Sequence, residues 1–135
     1  MIKLSGKEKI ELQKVAEKYH LRLLLVFGSA VTGRTHKESD LDVAYLSARA
    51  LTIREEAELI VAIGPILKNN CVDLANISLA PPLLLYALAQ NSEILYELNP
   101  FEFYNLRAYA FKRYIEAAPI FQLQAERAKI KMNAK

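Results

Sequence analysis

Near the start of the chain, apolar residues recur mostly three and four positions apart. Ile10, Leu12, Val15, Ala16 and Tyr19 do so within KEKIELQKVAEKY. That stripe predicts an amphipathic helix, with Ser5 as its N-cap and Glu8 three residues on as the reciprocal cap. The pattern then changes to the run LRLLLVF, Leu21 to Phe27, apolar except for Arg22, which predicts a central strand buried on both faces. SDLDVAYL (Ser39 to Leu46) and CVDLANI (Cys71 to Ile77) predict two further strands. Between them, Thr52 and Glu55 form a second capping box for a helix carrying Leu59, Ile60, Ile63, Ile66 and Leu67. Gly64-Pro65 is expected to stop that helix near Ile63 or kink it.

Pro81-Pro82 open another helix, since proline is tolerated in a first turn. EILYEL reads as a short edge strand. PFEFYNLRAYAFKRYIEAA predicts a helix with an aromatic face, ended by Pro119, and a last helix begins at about Ile120. No repeat, low-complexity segment or linker divides the chain. The order helix, strand, strand, helix, strand, helix implies an α/β (α+β) domain with a small mixed sheet packed by helices.

Composition narrows the class. The 135 residues, 53% of them hydrophobic, suit one domain with a real core. No run approaches the ~18 to 20 apolar residues that a membrane span requires. The first residues alternate charged and apolar positions, unlike a signal or transit peptide. A single cysteine, Cys71, excludes an internal disulfide framework and a cysteine zinc site and suits a reducing cytoplasm. Cys71 is expected to be a small buried hydrophobe beside a strand. The net charge is +3, but from Phe101 to Lys135 seven Lys/Arg face three Glu. With no stacking platform or groove-reading motif beside it, this basic end is expected to be a solvated face or partner surface rather than a site of direct nucleic-acid binding.

Three places carry candidate chemistry. Gly28-Ser29 ends the buried strand. Read alone, the pair is either a tight turn capped by Ser29 or a turn whose backbone N–H groups and hydroxyl receive a phosphate. Asp40 and Asp42 are two apart, so on a strand both carboxylates leave one face, separated by roughly 6 to 7 Å of rise. Two such acids repel unless something positive lies between them. Mg²⁺, which takes one or two carboxylates plus phosphate oxygens, is suited to that place. Asp73, in VDLANI, points to the same site if its strand pairs beside the second one. Otherwise it is a solvent-facing strand residue.

Gly28-Ser29, ten intervening residues, then Asp40-Leu41-Asp42 resembles the Gly-Ser-x10-Asp-x-Asp signature of the DNA polymerase β-like nucleotidyltransferases. Gly33 and Ser39 also resemble that family's pattern. The segment from Ala80 to Pro119 is similar to the C-terminal half of MntA-type antitoxins, minimal nucleotidyltransferases that accompany HEPN-domain toxins. The resemblance implies a single domain, with a catalytic core over about 1–80 and a helical partner-binding part over about 81–135. It implies that Asp40, Asp42 and Asp73 hold two Mg²⁺, and that Gly28 and Ser29 hold the phosphates of ATP. AMP would pass to a tyrosine of the partner ribonuclease toxin encoded nearby. Rival readings are a small-molecule nucleotidyltransferase of the aminoglycoside-modifying type, and an antitoxin that only binds and blocks. Arg34, His36, Ser47 and Arg49 are lesser candidates. The stripe Phe103, Leu106, Tyr109, Ala110, Arg113, Tyr114 is expected to be core plus partner surface.

Overall fold

The computed structural model describes residues 2–28 and 40–133. Helix α1 (Gly6–Lys18) begins at a complete capping box: the Glu8 backbone N–H donates to Ser5 Oγ, and Ser5 N–H donates to Glu8 Oε1, each at 3.2 Å. These reciprocal bonds satisfy two of the donors that a helix start leaves free. Strand β1 (Leu21–Phe27) follows, then β2 (Leu41–Ser47) and helix α2 (Ile53–Ile66), which opens on the Thr52–Glu55 box. Strand β3 (Val72–Asn76) leads through a short 3₁₀ turn to α3 (Pro82–Gln90), β4 (Ser92–Glu97) and the long helix α4 (Glu102–Asn133).

The four strands form one mixed sheet in the order β3-β2-β1-β4. β1 pairs antiparallel with β2 and with β4, while β2 and β3 are parallel. The parallel pair requires a crossover, which α2 provides. β1 is central, and Leu23, Leu24, Leu25 and Val26 are wholly buried, as expected of a strand covered on both faces. Leu24, Val26, Val43 and Tyr45 pack under α1 and α2 with Leu12, Leu59 and Ile63. On the other face, Leu23, Leu25 and Ala44 pack under α3 and α4 with Leu85, Leu88, Leu106 and Ala110. β4 is an edge strand of this sheet.

Two expectations are corrected, and of the two offered for Gly64-Pro65 the stop near Ile63 is set aside. α2 runs through Gly64-Pro65 to Ile66, because Pro65 falls in the last turn and both it and Val61 are exposed. Water can therefore take the Val61 carbonyl that a proline N–H does not. Pro119 likewise interrupts nothing: α4 is one helix of 32 residues, with Pro119 and Ile115 both on its solvent side. Cys71 is exposed, since it stands before β3 begins, where its carbonyl receives the Leu41 N–H at 2.7 Å.

Candidate functional site

The site is built at one end of the sheet by strand register. Phe27, the last residue of β1, lies opposite Asp42, and Asp42 lies opposite Asp73 on the parallel strand. Directly opposed residues share a sheet face, so Asp73, Asp42 and Phe27 form a row. β4 extends the row with Ser92 opposite Phe27. Adjacent strands stand about 4.8 Å apart, which brings the two carboxylates side by side. Asp42 shares its face with Ala44, beneath the C-terminal helices. Asp40, two residues upstream, and Asp73 are exposed, while Asp42 is half-buried.

Gly28 completes the arrangement. Its φ is +74°, in the left-handed region that L side chains avoid. A Cβ built on it would stand 2.2 Å from Asp42 Oδ2. The backbone at Gly28 therefore passes directly against the Asp42 carboxylate, and a side chain there would push that carboxylate aside. Ser29, Gly33, Arg34, His36 and Ser39 lie outside the described residues.

The electrostatics agree with the geometry. Burial pushes the Asp42 carboxyl above its ordinary value, and the negative charges of Asp73 and Asp40 push it further in the same direction. Among the described residues no lysine or arginine pairs with any of the three acids. Such a group attracts cations. No three His, Cys, Asp or Glu side chains among the described residues converge closely enough to enclose a metal ion by themselves. Mg²⁺ does not need that: one or two carboxylates suffice when substrate phosphate oxygens and water supply the rest. The hard oxygen donors of Asp42 and Asp73, with Asp40 at the rim, fit this ion.

Two lesser candidates are elsewhere. Ser47 ends β2, five residues beyond Asp42 and hence roughly 16 Å from it along the strand; its hydroxyl donates to the Arg49 carbonyl. Arg49 pairs with Glu55 at 2.7 Å and holds the Glu55 carboxyl down at about 2, its hydrogen bond being the largest cause. The pair joins the β2 exit to the start of α2 and is structural. Sequence reading missed the contact between Gly28 and Asp42, which depends on how β1 and β2 align with each other.

A family model described as polymerase beta, nucleotidyltransferase, matches residues 10–101. The chain belongs to this nucleotidyltransferase family. Solved structures share the fold. A chain of a toxin-antitoxin crystal structure with AMP-PNP is 24% identical with a TM-score of 0.67, covering 93% of this chain and 97% of that one. A chain of the MntA-HepT toxin-antitoxin structure is 21% identical with a TM-score of 0.63, covering 96% and 98%. A third belongs to the complex of the tri-AMPylated Shewanella oneidensis HEPN toxin with its MNT antitoxin. It is 22% identical with a TM-score of 0.62, covering 95% and 96%. None of the curated proteins compared by sequence matches. No helix among the described residues is long and apolar enough to cross a membrane.

Proposed function

We propose that this protein is a Mg²⁺-dependent adenylyltransferase that moves AMP from ATP to a tyrosine of a partner HEPN-domain toxin, and so acts as its antitoxin in the cytoplasm. The observation that carries the reading is the in-register pair Asp42–Asp73 with Gly28 against it. This arrangement supports reading Gly28-Ser29 as a phosphate-receiving turn beside the carboxylates. Family membership supports nucleotidyl transfer. The full-length fold likeness to toxin-antitoxin chains supports the partner.

In this reading Asp40, Asp42 and Asp73 hold two Mg²⁺, which when bound stabilise charge on the oxygens of the transferring phosphate. Gly28-Ser29 presents N–H groups and a hydroxyl to the β- and γ-phosphates, orienting the α-phosphorus. The acceptor oxygen forms a bond to that phosphorus as the bond to pyrophosphate breaks, and the hydroxyl proton leaves to solvent or to the exposed Asp73. A macromolecular acceptor can contribute a wall of the site.

ATP labelled at the α-phosphate, incubated with this protein, Mg²⁺ and the adjacent-gene toxin, tests the reading. Label on the toxin is expected, and none with Asp40→Asn/Asp42→Asn. A toxin neutralised without label would identify a binding-only antitoxin, and label on a small molecule alone would identify the aminoglycoside-type enzyme.

A further inference from the structure

Asp73 reaches the carboxylate row from an edge of the sheet. β3 is bonded within the sheet to β2 alone, and Asp73 is the second of its five residues. The position of this carboxylate beside Asp42 is therefore set by the pairing with β2 and by the chain that leads into β3.

That lead-in is built on the end of α2. The helix closes in a Schellman turn: the Asn69 N–H donates to the Gly64 carbonyl at 3.0 Å, and the Lys68 N–H to the Pro65 carbonyl at 3.2 Å. Lys68 takes the left-handed backbone that such a turn requires, at φ +56°. The turn is tight, for a Cβ on Gly64 would stand 3.0 Å from the Asn69 carbonyl oxygen. The backbone of Asn69 is thus tied to the helix, and its side chain directs the chain onward. Asn69 Oδ1 accepts the Cys71 N–H at 2.7 Å, an Asx turn. The Cys71 carbonyl in turn accepts the Leu41 N–H at 2.7 Å, and Leu41 stands between Asp40 and Asp42. A continuous path of bonds runs from the end of α2 through Asn69 and Cys71 to the acids of β2, and Asp73 follows Cys71 by two residues.

We infer that Asn69 is a positioning residue for the carboxylate row: its amide oxygen holds the start of β3 so that Asp73 stands in register with Asp42. What the row does rests on the proposed transferase function. Cys71 is exposed, so without Asn69 water can take its N–H at little cost to the fold. What is lost is the fixed direction of the chain, and a catalytic group displaced by about 1 Å can cost 100-fold. The loss therefore belongs to transfer far more than to stability.

The test compares Asn69→Ala, Asn69→Asp and, at the exposed neighbour, Asn70→Ala, each in the full chain. Amide exchange at Leu41, followed by NMR without nucleotide or metal, should quicken in Asn69→Ala. It should stay near wild type in Asn69→Asp, whose carboxylate keeps the acceptor oxygen. Transfer of label to the adjacent-gene toxin should fall roughly 10-fold or more in Asn69→Ala, with melting lowered by no more than about 3 °C. Asn69→Asp should recover most of that transfer, and Asn70→Ala should change neither measurement. Gly64→Ala, which presses on the same turn from the helix side, should also lower transfer although alanine favours the helix. Leu41 exchange unaltered by Asn69→Ala overturns the inference, as does a loss of transfer shared equally by Asn69→Asp or Asn70→Ala. Failure of Asn69→Ala to fold also overturns it, since Asn69 would then serve stability. Wild-type protein that transfers no label overturns the transferase reading instead, and Leu41 exchange still decides whether Asn69 holds the strand.

Discussion

Gly28→Ala isolates the contact on which the site depends. A Cβ at this position would stand 2.2 Å from Asp42 Oδ2, 3.2 Å from its Cγ and 3.4 Å from its Cβ. The first distance is impossible and the second is tight, so the carboxylate must swing away. Because the clash is with the tip of a flexible, half-exposed side chain, the backbone need not move. The stability cost is then mainly that of an L residue at φ +74°, about 1–2 kcal/mol. At roughly 3 °C per kcal/mol for a chain of this size, melting should fall by about 3 to 6 °C. Transfer should suffer far more, since displacing a catalytic group by about 1 Å can cost 100-fold. Label transfer to the acceptor and thermal unfolding, measured on the same samples, separate the two effects. In an Asp42→Ala background, Gly28→Ala should cost the same φ strain in stability, while transfer, already lost with Asp42, should fall no further. Near-normal transfer by Gly28→Ala would refute the contact as a determinant of the site.

Three further outcomes follow from other parts of the molecule. Burial and like charges raise the folded-state carboxyl of Asp42 above its ordinary 3.8, so the folded state binds that proton more tightly than the unfolded one. Stability therefore falls as pH rises from 3.8 through the raised value, and the penalty is fully present above it; Asp42→Asn should flatten this limb in metal-free melting curves, with equal or higher stability at about pH 7. Glu55 is opposite in sign: held down to about 2 from 4.5 by Arg49 and then by the Thr52 backbone, it contributes stability present above 4.5 and lost as pH falls through 2. Glu55→Gln should remove that acid dependence, and unchanged acid unfolding would show that the pair with Arg49 is not formed in solution. Pro119→Ala should restore a helical N–H at an exposed position, slowing amide exchange around residues 115–123 without changing transfer; unaltered exchange would mean that the helix does not continue through Pro119.

How much of this was legible in the sequence follows from the range of each interaction. Both capping boxes are local, closing over three residues, and Ser5–Glu8 and Thr52–Glu55 were readable as such. β1 was legible because a seven-residue run, apolar except for Arg22 and bounded by His20 and Gly28, has few alternatives. The candidate site was legible only in pieces. The spacing of Gly28 to Asp42 is a linear pattern, but the position of Asp73 opposite Asp42 is a fact of parallel register, set by how α2 returns the chain. The two prolines misled because their effect depends on exposure: Pro65 and Pro119 both face solvent, where a missing N–H costs least. Cys71 misled for a related reason. Its burial was inferred from the apolar strand that follows, yet it precedes that strand's first residue. Ser47 and Arg49 were close in sequence to the acids but belong to the opposite end of β2.

The most direct test of the central claim is the intact mass of the HEPN toxin recovered after co-expression with this protein. With the wild-type chain the toxin should be heavier by whole AMP units, with the added mass on a tyrosine. With Asp40→Asn/Asp42→Asn it should carry no added mass while still co-purifying. Unmodified toxin that is nevertheless neutralised by the wild-type chain, or equal modification by the double variant, would contradict the account.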